Sequence, residues 1–209
     1  MNELQYRPLH PSWFYSYVDI PNLEDIRQEL VNLVRTGDVG YRSNPTAYNI
    51  WADQVLAKCP KVHEFLIKMG LVSKFHRLLT TQKLNDMADH VVHVDTYDPQ
   101  YLTQSLNLGL SDYEGSYTSW HDTDVTKLHD TAQFGMDAAS QFAFIETDKT
   151  WEIARMYYDT RAALVNTTIL HRGNAQKMNR LICGFRFVPD LTDEEIIRLG
   201  VKNPHVQVD

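Results

Sequence analysis

The sequence predicts a mainly β domain with a helical N-terminal cover, an α+β arrangement whose core is a jelly roll or barrel. Three observations lead there. Segments rich in Val, Ile, Thr, Tyr and Phe follow one another between residues 74 and 188, about eight of them. Helical spacing of apolar residues is confined to stretches before and after that region. Neither an internal repeat nor a low-complexity segment interrupts the pattern.

Taken in order, the chain divides into a helical cover over about residues 1–72, a strand-rich core over about 73–188, and a C-terminal helix and tail over about 189–209. In the cover, Leu23, Ile26, Leu30, Leu33 and Val34 recur at helical spacing. Asn22 stands as a cap before them and Gly37 as a stop after them. A second helix runs through Val62–Met69 and ends at Gly70, and Gly40 to Thr46 reads as a loop. Strands are expected near 74–81, 90–96, 102–108, 115–120, 141–147, 152–158, 162–170 and 180–188. The polar stretch from Asp122 to Ser140 is expected to be a long loop at the mouth of a site. At the end, Thr192 and Glu195 have capping-box spacing ahead of a short helix that Gly200 closes.

At 209 residues the chain is long enough for one domain with a sizeable core. A net charge of −7 argues against broad, sequence-independent binding of nucleic acid, which needs a basic surface. It leaves room for a local basic channel, or for an enzyme acting on one flipped base. No apolar run approaches a membrane span, and the first residues lack a signal pattern. With only Cys59 and Cys183, no disulfide framework is expected, and a cytoplasmic chain with reduced thiols is the expectation.

The chemistry concentrates in His93-Val94-Asp95. In an extended run alternate side chains share a face, so His93 and Asp95 point together while Val92 and Val94 point away. A carboxylate on such a strand is costly to bury without a partner. Far downstream, His171 closes the run Ala162 to Leu170. Two imidazoles and one carboxylate can hold one face of an octahedral ferrous ion and leave the opposite face open. After the turn at Gly173-Asn174, residues 180–188 sort into two faces. Leu181, Cys183, Phe185 and Phe187 form an apolar one; Arg180, Ile182, Gly184 and Arg186 form the other. Two arginines there make sense if that face lines a pocket for an anion.

The order His93-x-Asp95, His171, then Arg180 resembles the Fe(II)/2-oxoglutarate-dependent dioxygenases, whose core is the double-stranded β-helix, a cupin-like jelly roll. The resemblance covers about Lys74 to Val188. It implies that His93, Asp95 and His171 bind Fe(II), that 2-oxoglutarate and O₂ are co-substrates, and that Arg180 grips the remote carboxylate of 2-oxoglutarate in a bidentate pair. It implies decarboxylation to succinate and CO₂ coupled to hydroxylation of a C–H bond. The halogenases of the family lack the ligand carboxylate, and Asp95 is present. Thr168, Asn107 and Tyr117 are further candidates for contacts to 2-oxoglutarate. Arg186, about 20 Å along the strand at ~3.3 Å per residue, is the rival anchor and is expected at the opposite end of the barrel.

Other readings remain open at this point. The barrel could hold a metal without using 2-oxoglutarate, as a cupin-like dioxygenase or isomerase does, or be a binding or structural module with no catalysis. His121, Asp122, Asp124, His129 and Asp130 form a second cluster that could take a divalent ion or serve a metal-dependent hydrolase, although solvated loop polarity explains it as well. Lys58 and Lys61 flank Cys59 and would favour its thiolate; Cys183 reads as strand packing. The substrate (small molecule, peptidyl residue or nucleobase) is not legible.

Overall fold

Leu181 to Phe187 is buried at every position, so this strand is covered on both sides. In the computed structural model, which describes residues 3–5, 14–36, 41–44, 47–82, 91–95, 104–125, 127–130, 143–174 and 180–201, it is the central strand of one of two sheets. The strands of the described residues are β1 (Glu3–Gln5), β2 (Tyr15–Val18), β3 (Tyr41–Asn44), β4 (Ala47–Trp51), β5 (Phe75–Gln82), β6 (Val91–Val94) and β7 (Gln104–Ser111). After them come β8 (Tyr117–Asp122), β9 (Lys127–Asp130), β10 (Ala143–Glu146), β11 (Trp151–Tyr157), β12 (Ala162–Asn166), β13 (His171–Asn174) and β14 (Leu181–Phe187). The helices are α1 (Leu23–Thr36), α2 (Ala52–Lys58), α3 (Pro60–Met69) and α4 (Asp193–Arg198).

One sheet has the order β2-β12-β7-β14-β5-β4-β3 and the other β1-β9-β10-β6-β13-β8-β11. Every pairing in them is antiparallel. Successive strands β5, β6, β7 and β8 alternate between the sheets, and β11, β12, β13 and β14 do so again. That alternation is the winding of a double-stranded β-helix, or jelly roll.

The outward residues of β14 join the main core with Ile26, Leu30 and Leu33 of α1, Val55 of α2, Val62, Phe65 and Leu66 of α3, and Ile196 of α4. The helices therefore cover one sheet, and its other face is left to line the barrel. Arg27 fastens α1 to the barrel: buried, it donates from Nε to the Gly109 carbonyl at 2.9 Å and from Nη2 to the Thr160 carbonyl at 2.6 Å. Gly70 ends α3 with φ 70°, a left-handed conformation that glycine adopts without a Cβ clash. Thr192 and Glu195 form the expected capping box, with the Thr192 hydroxyl accepting from Glu195 N and the Glu195 carboxylate accepting from Thr192 N. None of the described helices is long and apolar enough to cross a membrane.

Several expectations need correction. The N-terminal part is not helical cover alone: β1 extends one sheet, and β2, β3 and β4 extend the other. The expected loop over Gly40 to Thr46 contains β3, paired with β4 as an antiparallel edge. Asn22 has φ 57°, and its carbonyl accepts the Ile26 N–H at 3.2 Å; Gly37 lies outside the described residues. The run 162–170 is not one strand, because β12 stops at Asn166 and the chain crosses to the other sheet before His171. Asn166 makes that stop by accepting the Thr168 N–H at 3.0 Å, an Asx turn. Nor is the stretch after Asp122 simply a loop, since Lys127–Asp130 is a strand paired with both β1 and β10. Residues 131–140 lie outside the described residues.

Candidate metal centre

His93 and His171 are direct cross-strand partners on β6 and β13. Directly opposed residues project from the same face of a sheet, and these two rings have centroids 4.6 Å apart. Asp95 follows His93 by two residues, and its N–H is held by the Thr167 carbonyl at 3.2 Å. Its Oδ1 lies 3.3 Å from His93 Nε2 and 3.4 Å from His171 Nε2. Among the described residues these three form the one group of His, Cys, Asp or Glu donors that converges, with all ligand atoms within 4.8 Å of one another. Adjacent ligands ~2.1 Å from an octahedral ion stand ~3.0 Å apart, so a small closure would seat a cation between them.

Each donor has a neighbour that sets its state. His171 Nδ1 lies 2.8 Å from the Ile169 carbonyl, which can only accept, so Nδ1 carries a proton and Nε2 is the nitrogen turned toward Asp95. Arg186 Nη2 donates to Asp95 Oδ2, and Arg186 Nη1 reaches the Thr167 hydroxyl at 3.4 Å. Burial raises the Asp95 pKa, but Arg186, and after it His171 and His93, outweigh burial and hold the carboxyl well below the usual range. Burial lowers the His93 pKa against the opposing hydrogen bond to Asp95, so His93 tends to the neutral, ligating form.

The interior around these donors comes from both sheets. Trp120, Ile182, Val165 and Ile169 form an apolar cluster between the sheets, and the Trp120 indole N–H is held by the Asn166 carbonyl at 2.9 Å. Arg180 is buried, and its Nη1 lies 3.5 Å from where a Cβ on Gly173 would stand. Gly173 is two residues, or about 7 Å of strand, beyond His171. Asn107 donates to the Tyr158 hydroxyl at 3.2 Å and accepts from Ser105 at 2.6 Å, and Thr118 lies 2.9 Å from the same Tyr158 hydroxyl. Gly184 leaves the space for this network: a Cβ there would meet Ser105 Oγ at 2.4 Å and Asn107 Oδ1 at 2.6 Å.

The structure thus brings His93, Asp95 and His171 together, and turns Arg180 and Asn107 toward the same interior. It does not bring Tyr117 there. Thr118 and Trp120 are the inward residues of β8, so Tyr117 points outward, where Arg155 lies 4.1 Å over its ring. Thr168 spends its hydroxyl on Asn166 Oδ1 at 2.7 Å within the crossover turn. Arg186, expected away from the site, touches a metal-ligand candidate: Asp95 directly follows β6, and its N–H is held by the carbonyl of Thr167, just after β12. The polar partners Thr118, Tyr158 and Ser105 were missed; only the inward parity of their strands could have marked them.

The second His/Asp cluster is divided between faces. His121 points outward on β8 and is buried, bonded to Ser119 at 2.8 Å and Thr150 at 3.1 Å. His129 points inward on β9 beside Phe144, with ring centroids 5.3 Å apart. Asp122 caps Thr123 N at 2.8 Å, and the Asp130 side chain lies outside the described residues. Cys59 has no thiolate-favouring setting despite its lysine neighbours: it is buried, and burial followed by Glu29 pushes its thiol up to about 12. Cys183 is buried as expected.

No family model matches the chain, and no curated protein matches it. Among solved structures it is similar to the epimerase SnoN in complex with Fe3+, alpha ketoglutarate and nogalamycin RO, at 10% identity and a TM-score of 0.44 over 83% of this chain and 78% of that one. It is also similar to the non-heme alpha ketoglutarate dependent carbocyclase SnoK from nogalamycin biosynthesis, at 11% identity and a TM-score of 0.46 over 93% of this chain and 88% of that one.

Proposed function

We propose that this chain is an Fe(II)- and 2-oxoglutarate-dependent oxygenase that hydroxylates a C–H bond. The observation that carries the reading is the convergence of His93, Asp95 and His171 donor atoms within 4.8 Å on one sheet face, toward an interior that also receives Arg180. Two imidazoles and a carboxylate suit Fe(II), and a carboxylate held ionised by Arg186 is ready to ligate without losing a proton first. When bound, the iron and 2-oxoglutarate supply oxidative decarboxylation to succinate and CO₂ and the oxidation of the substrate C–H bond.

The protein residues then place and shield. His171 is aimed by the Ile169 carbonyl, and Asp95 by Arg186 and the Thr167 backbone. Arg180 supplies a buried guanidinium for the remote carboxylate of 2-oxoglutarate, close to the backbone of Gly173 two residues beyond His171. Asn107, Thr118 and Tyr158 offer polar atoms in the same interior. Trp120, Ile182 and Val165 keep water from the site.

Succinate release from 2-oxoglutarate by the Fe(II)-loaded chain tests the reading. Arg180→Ala is expected to raise the KM for 2-oxoglutarate by roughly a hundredfold, the loss of a bidentate charge pair of ~2–3 kcal/mol. Iron-loaded protein that releases no succinate, or an Arg180→Ala chain with unchanged KM, would favour a barrel metal enzyme that does not use 2-oxoglutarate.

A further inference from the structure

The three metal-ligand candidates are not equally enclosed. The His171 side chain is 10% exposed and that of His93 is 27% exposed, so the open side of the cluster is the side of β6. The neighbour of β6 on that side is β10, and the residue directly opposite His93 is Phe144. Phe144 is in turn directly opposite His129 of β9. His171, His93, Phe144 and His129 therefore form one cross-strand row on the inner face of the sheet. Directly opposed side chains stand ~4.5–5.5 Å apart at Cβ. The His129 and Phe144 rings are tilted by 36°, Phe144 is half-buried, and the His129 side chain is 34% exposed. Ala143 and Ile145, the alternate residues of β10, are buried in a separate apolar cluster, which pins Phe144 to the site face.

We propose that Phe144 and His129 form the substrate seat, and that the group it takes is a flat π-faced ring, aromatic or heteroaromatic. This rests on the oxygenase reading for the reaction, but not for the seat itself. Two partly exposed rings beside the open flank of the cluster, Phe144 packed on His129 and His129 also facing Glu146 at 3.5 Å, favour offset stacking of a planar ring, and stacking would hold a ring C–H, or a substituent on the ring, next to His93. The geometry also gives the direction of approach: substrate enters from the β6–β10 side, with Trp120 closing the other end of the row across from His171.

The test is equilibrium dialysis with the full chain loaded with Fe(II) and 2-oxoglutarate under anaerobic conditions. The probes are indole as a free ring, thymidine as a nucleoside, and a phenylalanine-containing tripeptide, each against cyclohexanol or a leucine tripeptide. Ring probes are expected to bind more tightly than their aliphatic counterparts, and the best of the three identifies the source of the ring. Phe144→Ala should weaken ring binding by about tenfold, and Phe144→Tyr should keep it within about twofold. Equal binding of rings and aliphatics, or ring binding unchanged in Phe144→Ala, would overturn the proposal. Metal loading, read separately, keeps the two readings apart. Ring binding that depends on Phe144 in a chain that takes up no iron would sink the oxygenase and leave the seat standing.

Discussion

Arg186 donates to the Asp95 oxygen that is not shared between His93 and His171. The carboxylate is thus divided, with Oδ2 committed to the guanidinium and Oδ1 presented between the two imidazole nitrogens. This arrangement leaves Asp95 one oxygen to offer a cation and holds its carboxyl well below the usual carboxylate range despite burial.

Removing the guanidinium should therefore weaken metal binding without touching a ligand. Arg186→Ala is expected to cost roughly 10–100-fold in Fe(II) or Mn(II) affinity, the usual range for partners that orient ligands. Arg186→Lys should recover only part of it, because an ammonium cannot reproduce the planar geometry. Titration of metal into the apoprotein measures both variants. Unchanged affinity in Arg186→Ala would show that the pair does not orient Asp95.

Gly184 is expected to be intolerant for steric rather than conformational reasons. Its added Cβ would fall 2.4 Å from Ser105 Oγ and 2.6 Å from Asn107 Oδ1, inside a packed polar network. Gly184→Ala should destabilise by about 1–3 kcal/mol, the range for overpacking. A denaturant midpoint measures it, and Gly184→Ala combined with Ser105→Gly should recover part of the loss.

His121 predicts a pH dependence. Thr150 donates its proton to the Thr147 carbonyl at 2.9 Å, so it accepts from His121 Nδ1–H, and Ser119 donates to Nε2. Burial, followed by Arg172, lowers the His121 pKa to about 4 from an ordinary value of 6.5. Between those values the unfolded chain binds the proton and the folded chain does not, so stability falls as pH drops from 6.5 to 4. The loss approaches about 3 kcal/mol at ~1.4 kcal/mol per unit, and none of it is felt above pH ~7. Melting temperatures of the wild type and His121→Asn across that interval test it: the variant should show a shallower slope, and parallel curves would reject the assignment.

How much of this was legible in the sequence differs from residue to residue. His93 and Asp95 could be read because period-two alternation places them on one face within three residues. The pairing of His93 with His171 could not, since register between strands so distant in sequence is fixed by the barrel winding. Arg186 lies on β14 and Arg180 just ahead of it, and which of them meets the metal-ligand candidates depends on where β6 ends. Tyr117 misleads because five successive residues of β8 are buried, so composition does not reveal which parity faces inward. The run 162–170 hides its crossover because Thr167 to Leu170 is as apolar and β-branched as the strand before it. The short N-terminal strands gave no signal, being edge additions to sheets whose core lies elsewhere.

The measurement that tests the central claim most directly is an anaerobic visible spectrum of the chain with Fe(II), before and after 2-oxoglutarate. A metal-to-ligand charge-transfer band should appear only when both are present and vanish in His171→Ala. Iron that binds without such a band would contradict use of 2-oxoglutarate, and failure to bind iron would contradict the metal centre itself.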